Sequence, residues 1–130
     1  MENRNPVIAI VDDDASVRNA LRELLRAMGY AAEGFGSAED YLASESRSRF
    51  GCLIVDVHLP GVSGPGLISR LAGNGETLPA VLITAHDDPA TLDLIRAAGP
   101  LPHLRKPFSE AELIEAIERA LTPEYLHSLL

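Results

Sequence analysis

Apolar residues run through this chain in two alternating rhythms. Short continuous runs recur at Val7-Ile8-Ala9-Ile10-Val11, at Cys52-Leu53-Ile54-Val55 and at Ala80-Val81-Leu82-Ile83. A strand buried on one face alternates apolar and polar residues, whereas one buried on both faces of a parallel sheet is apolar throughout. The three runs therefore predict central parallel strands. Weaker strand candidates lie at Ala31 to Phe35 and at Leu101 to Leu104. Between the runs the spacing becomes helical. Val17, Ala20, Leu21, Leu24, Leu25 and Met28 share one stripe, with Arg18, Arg22, Glu23 and Arg26 off it and Gly29 as a stop. Ser37 to Ala43 predicts a short second helix, and Pro65 to Ala72 a third. Asp88 followed by Pro89 reads as an N-cap with a first-turn proline, opening a fourth helix through Leu92 and Ile95 to near Gly99. Ser109 and Glu112 have the spacing of a capping box for a fifth, whose stripe is Leu113, Ile114, Ile117 and Leu121 before Thr122-Pro123 ends it. Five strands alternating with five helices predict an α/β fold around an open parallel sheet.

Composition narrows the function classes. At 130 residues the chain is one domain's worth of sequence, with no internal repeat and no low-complexity tract. It contains no apolar run long enough to span a membrane. Met1 to Pro6 is polar and too short for a signal peptide, so a cytoplasmic setting is expected. The single cysteine, Cys52, rules out an internal disulfide and reads as a buried apolar position. Net charge is −8, and the 11 basic residues are scattered and outnumbered, so nucleic-acid contact by this chain itself is not expected.

The positions of the polar groups point to chemistry. Asp12 and Asp13 directly follow the first apolar run, Asp56 follows Val55, Thr84 follows Ile83, and Lys106 comes two residues after the last weak strand. In a parallel sheet all strand C-termini share one edge, and ligands of open α/β sheets bind there. Three carboxylates, a hydroxyl and an ammonium are thus expected to converge. Crowded carboxylates repel and call for a cation. Hard oxygen donors suit Mg²⁺, which takes one or two carboxylates with waters and phosphate oxygens. A carboxylate there can attack phosphorus to give an acyl phosphate, with metal and lysine offsetting charge on the moving group. Taken singly, each group has a plainer explanation. An aspartate after a strand is often a cap or turn residue, as Asp14 is expected to be for the first helix; Thr84 could be a strand-end turn residue and Lys106 a solvated charge.

In order and at these spacings, Val11-Asp12-Asp13-Asp14, Leu53-Ile54-Val55-Asp56, Leu59-Pro60-Gly61-Val62-Ser63-Gly64, Ile83-Thr84-Ala85 and Lys106-Pro107-Phe108 resemble the receiver domains of two-component response regulators, the CheY-like superfamily. The resemblance covers about residues 6–121, leaving 122–130 as a C-terminal tail or the start of a linker. It is strongest to receivers that precede a helix-turn-helix output domain. It implies a CheY-like doubly wound (βα)5 fold with a five-stranded parallel sheet in the order 2-1-3-4-5. It implies that Asp56 accepts a phosphoryl group from a histidine kinase or a small phosphodonor. The implied Mg²⁺ ligands are Asp12, Asp13, Asp56 and the backbone carbonyl of His58. Thr84 and Lys106 would contact the phosphoryl group, Lys106-Pro107 would be a cis bond, and Pro60 and Gly64 would shape the loop after Asp56. Such a domain catalyses its own phosphorylation and dephosphorylation rather than turning over a substrate. Phosphorylation would draw Thr84 inward and alter the face formed by the fourth helix, fifth strand and fifth helix, which meets the output domain, fused or separate, or a second copy in a homodimer.

Two departures bear on the switch. The position three before Lys106, aromatic in the family, holds His103, and Gly99-Pro100-Leu101-Pro102-His103 brings two prolines to the fifth strand. Proline in a sheet is confined to edges, strand starts or bulges, so a short or distorted strand is expected. His58 and His86, each two residues beyond a key group, sit where the family sets phosphoryl lifetime and are expected to tune dephosphorylation; the plainer reading is two solvent-facing loop residues. Three other functions fit part of the pattern. The odd fifth strand would suit a phosphorylation-independent interaction receiver. Asp12-x-Asp14 would suit a small phosphatase working through an aspartyl phosphate, though no cap or extra general acid is evident. A flavodoxin-like cofactor binder would need a phosphate-cradling loop where three aspartates stand.

Overall fold

The three apolar runs form the middle of a single parallel sheet. The computed structural model describes residues 5–122. In chain order the elements are β1 (Val7–Val11), α1 (Ala15–Ala27), β2 (Ala32–Phe35), α2 (Ala38–Ala43), a 3-10 turn (Arg47–Arg49), β3 (Phe50–Asp56), α3 (Gly64–Gly73), β4 (Ala80–Thr84), α4 (Pro89–Ala97), β5 (His103–Arg105) and α5 (Glu110–Leu121). The strands pair in the order β2-β1-β3-β4-β5, all parallel. Of the segment 122–130 expected as tail or linker, residues 123–130 lie outside the described residues, as do residues 1–4 of the polar start.

The continuous runs are apolar on both sides because helices cover both sides. On one face Ala9, Val11, Leu53, Val55 and Leu82 pack with Tyr41 of α2, Leu67 and Leu71 of α3 and Ile95 of α4. On the other, Ile8, Ile10, Cys52, Ile54, Val81 and Ile83 pack with Leu21 and Leu25 of α1 and with Leu113, Ala116 and Ile117 of α5. Each fully buried aliphatic side chain among them contributes on the order of 1.5–3 kcal/mol by leaving water. Cys52 is a core residue, as its setting predicted.

Local signals set most boundaries. Asp14 caps α1 by accepting from the Ser16 and Val17 amides, Asp88 caps α4 ahead of Pro89, and Ser109 and Glu112 form the expected reciprocal capping box of α5. One member of the α1 stripe is misplaced by sequence: Ala20 is exposed, so the buried line narrows to Leu21 and Leu25, flanked by Val17, Leu24 and Met28.

The fifth strand differs most from expectation. The sequence placed it at Leu101 to Leu104, whereas the ladder runs over His103–Arg105, pairing with Leu82, Ile83 and Thr84. Pro102 ends just ahead of it and contributes only its carbonyl, which accepts the Leu82 amide at 3.0 Å. Both prolines thus fall before the ladder, where a missing N–H removes no rung. The strand is short, as expected, but the prolines do not interrupt it.

Candidate functional site

Strand ends deliver the site. The β1–β3 register sets Val11 beside Val55, so Asp12 and Asp56 emerge together from adjacent strands. Asp56 pairs with Ile83, which places Thr84 one step beyond, and Thr84 pairs with Arg105, which places Lys106 next. The ladder extends past the strands, since the Lys106 amide donates to the Thr84 carbonyl at 2.8 Å.

A single local device recurs at three of these ends. Asp12 Oδ1 accepts the Asp14 amide at 2.9 Å, Asp56 Oδ1 accepts the His58 amide at 2.8 Å, and Thr84 Oγ1 accepts the His86 amide at 3.0 Å. Each side chain satisfies the backbone two residues on and is held at the edge by it, a habit of Asp and Thr at turns. The loop after Asp56 returns at once into α3, and Gly64 is required there. A Cβ at Gly64 would lie 2.3 Å from the Asp56 carbonyl oxygen.

Buried charge decides the electrostatics. Asp12 is 0% exposed and Asp56 6% exposed, while Asp13 faces solvent. Burial pushes the Asp56 carboxyl above its ordinary range against the opposing hydrogen bonds of Lys106 and the His58 amide, and the Asp12 charge adds to the rise. Lys106 Nζ bridges the two buried carboxylates, 2.8 Å from Asp12 Oδ2 and 2.7 Å from Asp56 Oδ2. Burial works against the ammonium, but its bonds and charge contacts with Asp12 and Asp56 outweigh that and raise its pKa. One ammonium thus sits between the two buried carboxylates and offsets part of their charge.

Carboxylate oxygens of Asp12, Asp13 and Asp56 all lie within 4.8 Å of one another. Oxygens opposite each other around Mg²⁺ are about 4.2 Å apart, since each bond is about 2.1 Å. The all-oxygen donor set, open on the Asp13 side, fits a small hard cation.

The residues singled out by sequence separate into two groups. Asp12, Asp13, Asp56, Thr84 and Lys106 converge, and Lys106-Pro107 is cis. His58 and His86 touch the site through their amides, but their exposed rings turn to each other, edge to face with centroids 4.8 Å apart. His103 is exposed on β5 opposite Leu82, two residues along the strand from Arg105, which pairs with Thr84.

Three further contacts escaped sequence reasoning. Arg18 Nη1 donates to the Asp12 carbonyl at 2.7 Å, crossing a surface where Gly34 and Gly36 carry no side chain. Glu39 of α2 accepts the Val62 amide at 3.1 Å, bracing the loop after Asp56. His58 Nε2 lies 2.9 Å from Thr91 Oγ1 on α4. The two glycines facing an arginine off its stripe were a readable signal for the first; the other two have none.

Comparison with known proteins agrees with this geometry. Residues 8–118 match the response regulator receiver domain family. The response regulator protein TodT of Pseudomonas putida is 42% identical over 122 residues, 93% of this chain and 53% of its own length. The transcriptional regulatory protein FixJ of Rhizobium meliloti is 37% identical over 114 residues, 87% of this chain and 55% of its own. The crystal structure of FixJ-N superposes with a TM-score of 0.81 at 35% identity, covering 90% of this chain and 94% of that one. The chain spans about half the length of these curated relatives. No helix among the described residues is long and apolar enough to cross a membrane. With the family's sequence, its sheet order and its acidic edge all present, this chain belongs to the receiver domains of two-component response regulators.

Proposed function

We propose that Asp56 is the phosphoacceptor of a phosphorylation switch occupying residues 6–121. The observation that supports this most is the buried Asp56 carboxylate, aligned by the His58 amide and faced by Lys106 at 2.7 Å beside two further carboxylates. A carboxylate oxygen of Asp56 attacks the phosphorus of a donor, the phosphohistidine of a histidine kinase or a small acyl phosphate. The bond from phosphorus to the donor breaks and its electron pair goes to the donor atom; a histidine nitrogen then takes a proton from solvent, whereas a carboxylate leaves as the anion. Asp12, Asp13, Asp56 and the His58 carbonyl would hold Mg²⁺, which supplies positive charge against the phosphoryl oxygens. Lys106 gives up its bond to Asp56 and contacts the incoming group instead. The Thr84 hydroxyl donates to a phosphoryl oxygen. The domain catalyses its own phosphorylation and hydrolysis and turns over no other substrate.

The new charge and acceptor oxygens draw Thr84 inward and shift the face of α4, β5 and α5 between two populated states. His103 is the ring positioned on that face to respond. In a longer regulator of the relatives' length the face meets an output domain, or a second receiver in a homodimer, while this chain makes no nucleic-acid contact itself. A kinase partner fed by nucleotide places the work in the cytoplasm. His58 and His86 flank the acceptor and set the lifetime of the acyl phosphate; replacing both with alanine is expected to change its half-life.

Acetyl phosphate with Mg²⁺, read by intact mass, tests the central reading. Wild type is expected to gain one phosphoryl group and Asp56→Asn none. No gain in folded wild type with Mg²⁺ present overturns it.

A further inference from the structure

His58 joins two parts of the molecule that phosphorylation must connect. Its amide donates to Asp56 Oδ1 at 2.8 Å, while its ring nitrogen Nε2 lies 2.9 Å from Thr91 Oγ1 in the first turn of α4. Thr91 is 1% exposed, and its hydroxyl donates to Asp88 Oδ1 at 2.7 Å. A hydroxyl has one proton, so with that proton on Asp88 the oxygen can only accept from His58. Asp88 suits the end of the chain. The Thr91 hydroxyl and amide bonds hold its carboxyl below the ordinary range, so it is a charged acceptor with no proton to give. The order is therefore His58 Nε2–H to Thr91 O–H to Asp88. The ring of His86, whose amide sits on Thr84 Oγ1, abuts His58 at 85°.

We propose that Thr91, backed by Asp88, is a positioning residue for the phosphoryl chemistry of Asp56. It pins the His58 ring in its Nε2–H form against α4 and so keeps the two imidazoles standing as a fixed wall between the ends of β3 and β4. The inference rests on the reading that His58 and His86 flank the acceptor. Hydrolysis needs a water oxygen to reach phosphorus while the bond from phosphorus to Asp56 breaks and its electron pair returns to the carboxylate, with inorganic phosphate leaving and the proton passing to solvent. A pinned wall restricts that approach; a loose one admits water.

Thr91→Val keeps shape and burial but removes the hydroxyl, whereas Thr91→Ser keeps the hydroxyl. The first readout needs no phosphorylation: the ¹⁵N shifts of the His58 ring. Wild type and Thr91→Ser are expected to show the proton fixed on Nε2, and Thr91→Val a ring no longer held to that nitrogen. The second readout is the half-life of the aspartyl phosphate, expected to shorten about fivefold in Thr91→Val, the worth of one net hydrogen bond, and to recover in Thr91→Ser. Unchanged ring shifts in Thr91→Val overturn the proposal outright. Altered shifts with an unchanged or longer half-life also overturn it, and His58→Ala then says which idea failed. If His58→Ala changes the half-life, only the role of Thr91 falls. If it does not, the lifetime role of His58 falls as well.

Discussion

The centre and the edge of this sheet end in opposite ways. At the centre, β1, β3 and β4 are buried along almost their whole length and lead to Asp12, just past β1, and to Asp56 and Thr84 at the ends of β3 and β4, each fixed by an amide two residues on. At the edge, β5 has three residues, two of them exposed, and its outer tie is the solvent-facing Arg105–Asp87 ion pair at 2.7 Å. An exposed pair of this kind is worth about 0–1 kcal/mol. Chemistry needs groups that do not move, and a switch needs an element whose alternatives lie close in energy. The molecule keeps the two apart, and Lys106, one residue past β5 yet bonded to both buried carboxylates, joins them.

The largest effect expected at the centre concerns Cys52. Burial pushes its thiol from 9.0 up to about 12, which lowers the thiolate fraction at neutral pH about thousandfold. Native protein is expected to resist Ellman's reagent at pH 8 and to react only as fast as it unfolds; rapid labelling without unfolding would mean the centre is open. Because the folded value is the higher one, the neutral thiol's contribution is intact below pH 9 and is lost as pH rises from 9 through about 12. Lys106→Met comes next, since it cuts the join. Removing one donor to a developing charge costs about a hundredfold in rate, so phosphorylation by acetyl phosphate should fall by about that factor. Mg²⁺ should bind more tightly by calorimetry, because the ammonium no longer competes for Asp12 and Asp56. A variant that phosphorylates at the wild-type rate would separate Lys106 from the chemistry.

Gly64→Ala tests how rigid the centre is without touching charge. The new methyl would meet the Asp56 carbonyl oxygen at 2.3 Å, so α3 or β3 must shift. Overpacking of this kind costs about 2 kcal/mol, read as a lower urea midpoint at unchanged slope. An unchanged midpoint would show that the loop after Asp56 yields easily.

The same division explains what the sequence disclosed. The central strands were legible because burial on both faces leaves an unbroken apolar run, and the acidic edge was legible because parallel strands must end together. The caps at Asp14, Asp88 and Ser109 were legible because they act within three residues. Lys106 was expected at the edge, but its grip on both carboxylates joins residues 94 and 50 positions apart, and His58 reaches Thr91 across 33. No periodicity encodes such pairs. The start of β5 was misread because Leu101 is apolar enough for a strand, while the rung pattern depends on the Pro102 carbonyl and on Leu82, a partner from another strand.

His103 is where the smallest effect carries the most meaning. It is exposed and opposite Leu82, so His103→Ala should alter stability by less than about 0.5 kcal/mol and leave the phosphorylation rate of Asp56 within about twofold. A larger loss in either would place the ring in the structural or catalytic framework, against its position at the edge. The informative readout is the amide spectrum of α4 and β5 with beryllofluoride and Mg²⁺. If the ring turns as Thr84 moves, the alanine variant should bind the analogue normally yet show smaller shifts along β5, and His103→Phe should restore them. If shifts of wild-type size persist without the ring, the edge responds through the backbone bond from Lys106 to the Thr84 carbonyl, and a histidine here needs no aromatic role at all.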